Sequence, residues 1–350
     1  MPRADRLARR AAGLGLALGL AAQAAAAQAA AETACLRGVN LSGAEFGTVP
    51  GRFTFDYFYP KPDTIARFAA LGLSALRFPV RWERLQPVLN GPLDPEEMLR
   101  LDAAFTAAKQ AGMRMILSVH NSAYYGKTRI GSGAVTEAAF ADFWRRLASH
   151  YRSEPGAVFG LMNEPFDMQV AEWLPVANAG LAAIRAVGAR QLVLVSGTAY
   201  SSVVYWETDT PVGNNARTML GVVDPANNFA YDVHQYFDAD FSGRALECGR
   251  GEDALRAVER MTGWLARHGR RAHLGEIGAS VEPGCSDRLR AVLDHLNAHP
   301  AQWLGWAIWG AGDQWRPDYP LRIDTAGANP AVVAVIRDAA RAAPRCEGRP

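Results

Sequence analysis

Phe159-Gly160-Leu161-Met162-Asn163-Glu164-Pro165 is an apolar run that ends on a carboxylate. It reads as a buried strand, since a short continuous apolar stretch halted by proline suits a strand covered on both faces. The pattern returns 112 residues after Glu164, in His273-Leu274-Gly275-Glu276-Ile277-Gly278. A charge ending a buried strand is costly unless it is paired or used, so the two glutamates point to groups aimed at one site.

Working outward from these runs, strands are expected at 37–43, 75–80, 114–120, 158–164, 191–197, 229–236, 271–278 and 304–310. Amphipathic patterns predict helices over 95–111, 137–151, 174–187, 253–268 and 287–297, with 331–343 following the last strand. Strand-then-helix units in this number predict an α/β fold of the (β/α)8 TIM-barrel type, in a single domain covering 32–350. An open doubly wound sheet would carry a glycine-rich phosphate loop after its first strand. Gly38-Val39-Asn40-Leu41-Ser42-Gly43 lacks the G-x-G-x-x-G spacing.

Composition agrees with a globular chain: 350 residues, 49% hydrophobic and 21% charged. Arg3, Arg6, Arg9 and Arg10 precede an apolar stretch and an alanine-rich segment, so residues 1–31 read as a secretory signal peptide cleaved after Ala31. The apolar core is too short and too rich in Ala and Gly for a membrane anchor. Its removal takes four arginines and Asp5 and leaves 33 basic against 34 acidic residues, a net charge of −1. That balance gives no support to nucleic-acid binding. A secreted or periplasmic monomer, free of the membrane after cleavage, is expected.

Four cysteines remain, and an exported chain with an even count is expected to form two disulfides, for which three connectivities are open. The preferred pairing is Cys248 with Cys285 and Cys35 with Cys346, the latter joining the first strand to the tail after the last helix. Zinc would need a C-x-x-C or a close Cys/His spacing, which is absent.

In a barrel the active site lies at the C-terminal strand ends, where Arg77, His120, Asn163 with Glu164, His234 with Tyr236, Glu276 and Trp309 all fall. Asn163 and Glu164 are adjacent, so both face the site only if their strand ends in a bulge or bend. Two carboxylates across a cleft suit glycosidic cleavage, in which one is protonated and the other ionised. Arg77 near Glu276 is expected to lower its pKa, Tyr236 to donate to it, and its charge to raise that of Glu164. A lone inward Arg or His is more often structural, and His150, His268, His273, His295 and His299 are read as structural or solvent-facing. His120 and His234 as metal ligands would call for an H-x-H on the first strand, which the chain lacks, so no metal or other cofactor is expected. Trp144, Trp173, Trp264 and Trp303 lie in helical patterns and read as packing residues. Trp82, Trp206, Trp309 and Trp315, with Tyr124, lie near strand ends or loops and are candidate sugar platforms.

Arg77, His120, Asn163-Glu164-Pro165, His234-x-Tyr236, Glu276 and Trp309 resemble, in order and strand position, the signature of glycoside hydrolase family 5. Arg37-Gly38-Val39-Asn40-Leu41-Ser42-Gly43-Ala44-Glu45-Phe46-Gly47 and Arg77-Phe78-Pro79-Val80-Arg81-Trp82-Glu83-Arg84 are similar to its fungal and bacterial endo-β-1,4-glucanases, as is Val233-His234-Gln235-Tyr236-Phe237-Asp238. The resemblance implies a retaining hydrolase with Glu164 as acid/base and Glu276 as nucleophile. Asn163 would hold the sugar 2-hydroxyl, Arg77 and Tyr236 would support the nucleophile, His120 and His234 would bind sugar or orient the carboxylates, and Trp309 would floor the cleavage subsite. It also implies the Cys248–Cys285 bridge. Two departures lie at sugar subsites: Ser122, where relatives commonly carry an aromatic, and the polar loop Gly310-Ala311-Gly312-Asp313-Gln314-Trp315-Arg316.

The expected function is hydrolysis of internal bonds in soluble or amorphous β-1,4-glucan. The alternatives are hydrolysis of a substituted bacterial exopolysaccharide with a β-glucan backbone, and a non-catalytic glycan-binding envelope protein on the same scaffold. Retention predicts carboxyl groups about 5 to 5.5 Å apart.

Overall fold

Each apolar run forms a strand because it can be covered twice, by the barrel interior on one face and by helices on the other. The strands are β1 (Leu36–Leu41), β2 (Ala75–Val80), β3 (Arg114–Val119), β4 (Ala157–Gly160), β5 (Val193–Ser196), β6 (Phe229–His234), β7 (Ala272–Ile277) and β8 (Trp303–Ala311). In the computed structural model, which describes residues 36–324 and 327–342, they close into a barrel. Every pair is parallel and sequential, and β8 returns to β1. The chain is a (β/α)8 barrel.

Alternation divides each strand between two cores. Leu36, Ala75, Ile116, Val158, Leu192, Leu194, Ala230 and Leu304 form a separate apolar cluster plugging the barrel interior. The opposite faces join the larger core under the helices. Above the interior plug, inward positions turn polar: Asn40, Arg77, Ser118, Asp232 and His273 are all buried.

The helices between and after the strands are α1 (Pro62–Ala69), α2 (Pro95–Gln110), α3 (Glu137–Tyr151), α4 (Val170–Ala186), α5 (Asn215–Thr218), α6 (Gly251–Arg267), α7 (Cys285–Ala298) and α8 (Pro330–Ala342), with a further single turn, Trp82–Leu85, directly after β2. Asp94 caps α2 by accepting from the amides of Glu96 and Glu97, and Thr136 caps α3 by accepting from Ala139. The sequence reading did not anticipate α1, although Pro62 stands in its first turn and Ile65 and Phe68 are buried. Nor does α4 start at Leu174: it begins one turn earlier and carries Pro175 inside. Trp173 explains the extension, because it is buried there and its Nε1 donates to the Ser196 carbonyl at 2.7 Å.

The Cys248–Cys285 disulfide is formed and ties the segment after β6 to the start of α7. The expected signal peptide and the Cys35–Cys346 bridge lie outside the described residues. Near those ends, Arg37 Nη1 donates to the Ala340 carbonyl at 3.2 Å, so β1 and α8 meet.

Candidate active site

Arg77 stands at the centre of the strand ends, with no exposed surface. Its Nη1 donates to Glu276 Oε1 at 2.8 Å and to Asn40 Oδ1 at 2.7 Å, and lies 3.2 Å from His120 Nε2. Its Nη2 donates to Asn163 Oδ1 at 2.7 Å and to Asp232 Oδ2 at 3.2 Å, and lies 3.4 Å from His234 Nε2. Each Nη carries two hydrogens, which its two oxygen acceptors take, so the imidazoles of His120 and His234 lie against a cation that offers them no acceptor. Burial first, and the Arg77 charge after it, hold His120 well below its ordinary pKa. Burial likewise lowers that of His234.

The adjacency of Asn163 and Glu164 is resolved by a sharp turn. β4 ends at Gly160, the Asn163 amide still donates to the Val119 carbonyl at 2.6 Å, and Glu164 takes φ 47°. A left-handed glutamate is uncommon, and such local strain clusters at working sites. The turn carries its carboxyl to His234, whose Nδ1 lies 2.6 Å from Glu164 Oε1 and 3.5 Å from Glu276 Oε2. His234 Nδ1 thus shares one short hydrogen bond with the Glu164 carboxyl.

One oxygen of each glutamate and one His234 nitrogen all lie within 4.8 Å of one another. These three groups are a donor set that a cation could use. The Arg77 guanidinium against Glu276 already supplies positive charge there.

The two carboxyls have unequal partners. Glu276 accepts from Arg77 and, at 2.7 Å, from the Tyr236 hydroxyl, whereas Glu164 has His234 alone. Burial pushes Glu164 up to about 7, and the Asp232 charge adds to the rise. Glu276 is also raised, against the expected fall, because desolvation outweighs the pull of His234, Arg77 and Tyr236. Those partners still distinguish the two carboxyls: the ionised form of Glu276 has two donors, Arg77 and Tyr236, that Glu164 lacks.

The two carboxyls, with Tyr236, His120 and Asn163, line a cleft of about 420 Å³ together with Glu45, Phe46, Arg81, Trp309 and Trp315. Residues 29–312 match the family model described as cellulase, glycosyl hydrolase family 5. The chain belongs to glycosyl hydrolase family 5. Endoglucanase 1 of Saitozyma flava is 32% identical over 295 residues, covering 82% of this chain and 84% of that protein. Among solved structures, an endo-beta-1,4-glucanase from Xanthomonas axonopodis pv. citri superposes with TM-score 0.83 at 37% identity, covering 88% of this chain and 98% of its own. XacCel5A, solved with cellopentaose, gives TM-score 0.84 at 36% identity over 87% and 99% of the two chains. The family 5 chain is therefore a glycoside hydrolase of the cellulase type.

Within this family 5 barrel, the aromatic candidates divide by depth. Trp309 lies nearly parallel to His120, with centroids 5.8 Å apart, and its Nε1 donates to the Tyr319 hydroxyl at 2.9 Å. Trp315 stacks on Tyr319 at 4.1 Å and meets Phe46 edge-on. Trp82 and Trp206, expected as platforms, are fully buried. Trp82 packs on Tyr125, Phe140 and Phe143, and Trp206 on Tyr231 and Trp264, so neither reaches the cleft. Trp82 opens a short helix, Trp82–Leu85, and Trp206 ends the 3-10 turn Val203–Tyr205, which sequence position alone does not reveal.

Tyr124 is half-buried, and its hydroxyl donates to Asp167. Its ring stacks toward Phe166, which in turn lies parallel to Tyr200 at 5.3 Å. The sequence reading missed Phe166 and Tyr200. The proline before Phe166 and the run Ala199, Tyr200, Ser201, all with positive φ, mark a strained, pinned loop. Glu45 and Arg81 were missed as cleft groups. Glu45 is pushed up to about 7 by burial, and Arg81 donates to the carbonyls of Glu45 and His120.

Proposed function

We propose that this family 5 enzyme hydrolyses internal β-1,4 bonds of soluble or amorphous glucan with retention, by double displacement. The observation that carries the reading is the pair of unlike carboxyls sharing His234 Nδ1, with oxygens within 4.8 Å. That spacing lies closer to the roughly 5 to 5.5 Å of retaining enzymes than to the roughly 6.5 to 9.5 Å of inverting ones.

In the first step Glu276 attacks C1 and the C1–O bond breaks, while the Glu164 proton passes to the leaving oxygen. In the second, water attacks C1, its proton goes to Glu164, and the ester electron pair returns to Glu276. Arg77 and Tyr236 hold the nucleophile; Asn163, fixed by Arg77, faces the sugar hydroxyl; His120 sets the inner wall. Trp309 and Trp315 offer apolar faces to sugar rings, and Tyr124 with Phe166 and Tyr200 extends the surface beside Glu164. The chain acts as a monomer without cofactor.

The arginine-flanked leader supports export to the periplasm or medium. Among the described residues no helix is long and apolar enough to cross a membrane. N-terminal sequencing of the recovered protein checks cleavage after Ala31.

One observation favours the second reading, a substituted β-glucan: Arg81 and Arg244 line the cleft, and Ser122 leaves open a position where an aromatic would stack. Digestion of cellopentaose, carboxymethylcellulose, mixed-linkage glucan, mannan, xylan and xanthan-type polymers, with products identified by mass, decides between the two. Reducing ends released from none of them would favour a non-catalytic glycan-binding protein. An inverted first product by NMR would exclude Glu276 as nucleophile.

A further inference from the structure

Beneath the carboxyl pair lies a buried ionic chain that the two steps above do not use. His273 on β7 is 0% exposed and Asp232 on β6 is 2% exposed. His273 Nδ1 lies 3.2 Å from Asp232 Oδ1, and its Nε2 lies 3.1 Å from the Leu36 carbonyl. The other Asp232 oxygen accepts from Arg77 at 3.2 Å, and Arg77 donates onward to Glu276 at 2.8 Å. Room for the carboxylate is provided by the neighbouring strand: a Cβ on Gly275 would stand 2.2 Å from Asp232 Oδ1. The glycine beside Glu276 is thus occupied, in effect, by the side chain of Asp232.

Arg77 is a permanent charge in a dry place, and its partners change during the reaction. Before attack it is shared by two carboxylates. Once Glu276 is esterified that oxygen carries no charge, and the remaining partners of Arg77, namely Asn40, Asn163, His120 and His234, are neutral. An unpaired buried charge is strongly unfavourable. Among the described residues, Asp232 is the one counter-ion in contact with Arg77 that persists.

We infer that Asp232, oriented by His273, is a positioning residue that keeps Arg77 in place through the covalent half of the cycle and limits its hold on Glu276 before attack. The inference rests on the double-displacement reading. Asp232 is held at a pKa of about 2, so it stays ionised over the working range, and its charge is among the influences that raise Glu164. The titratable or charged groups facing this chain are His120 from β3, Glu164 after β4, His234 from β6, and His273 and Glu276 from β7.

The test is Asp232→Asn, which keeps the size and one carbonyl oxygen, assayed with an aryl β-cellobioside bearing a good leaving group. Slower breakdown of the ester should lower kcat by about 10- to 100-fold and produce a burst of aryl alcohol approaching one equivalent per enzyme. Loss of the negative charge should move both limbs of the kcat/KM profile to lower pH, by about half a unit or more. A purely structural role would reduce the active fraction and leave limbs and burst per active site unchanged. That result, in a folded variant, overturns the inference. If Asp232→Asn does not fold, His273→Gln is measured in the same way: a several-fold smaller kcat with a burst supports the inference, and wild-type kinetics overturn it. Failure of the underlying reading is distinguishable, because it shows in the wild type as absent turnover of cello-oligosaccharides or an inverted product.

Discussion

Glu164 and Glu276 are chemically identical and differ only in their neighbours. Two donors, Arg77 and Tyr236, face Glu276; Glu164 has one polar partner, the His234 imidazole. Replacing Glu276 with Gln is expected to abolish turnover of cellopentaose with the far-ultraviolet spectrum unchanged. Glu164→Gln should lower kcat on the order of 10² to 10⁴ with cellopentaose, and much less with an activated aryl glycoside that needs no acid. Because burial raises Glu164, the proposed acid, from 4.5 to about 7, kcat/KM should fall as pH rises through about 7.

The same shift acts on stability. The folded state binds the Glu164 proton more tightly than the unfolded chain does, so its contribution is complete below pH 4.5 and is lost as pH rises to about 7. With 24% of the side chain open to the cleft, the effect should be on the order of 2 kcal/mol. Wild type should lose that much more stability than Glu164→Gln between pH 4 and pH 8, as read from urea unfolding. At this scale the strand-end groups were legible, since a polar residue closing an apolar run is conspicuous. Asp232 and His273 were not legible as a pair, because their contact crosses two strands and depends on the missing side chain of Gly275.

Loops show where legibility fails at the scale of elements. Trp206 and Trp309 both follow apolar runs, yet Trp206 turns under the loop onto Tyr231 and Trp264 while Trp309 faces the cleft. Trp309→Ala should lower kcat/KM for cellopentaose at least 10-fold, consistent with the worth of an aromatic platform. Trp206→Phe should leave KM unchanged and lower the unfolding free energy by about 1–3 kcal/mol.

The segment after β6 supplies Tyr236 and the cleft residues Ser242 and Arg244. Asp238 folds this segment by accepting from Ser242 Oγ and from the amides of Gly243 and Arg244, and Cys248–Cys285 anchors its end. The bridge spans 37 residues, so Cys248→Ser with Cys285→Ser should lower stability by about 2–4 kcal/mol. Calorimetry of the oxidised and double-variant proteins checks it.

At the scale of the molecule, closure is what places seven strand ends in one cleft. β8 pairs with β1, and Arg37 reaches the Ala340 carbonyl of α8, so the two ends of the described chain are held together. Truncation before Pro330 removes the apolar face of Val332, Val335, Ile336 and Ala339. The truncated chain is expected to lose its single cooperative unfolding transition, followed by tryptophan fluorescence, together with its activity.

The sequence by itself determined the eight-unit alternation and the polar groups that end the strands, and favoured the Cys248–Cys285 pairing. Each is carried by local apolar patterning or, for the cysteines, by resemblance to family 5. Only the tertiary structure decided which tryptophans face the cleft, how Glu164 turns beside Asn163, that burial raises both carboxyls, and that Arg77 is shared with Asp232. These depend on distances between strands far apart in the chain and on desolvation, and neither quantity exists until the barrel closes.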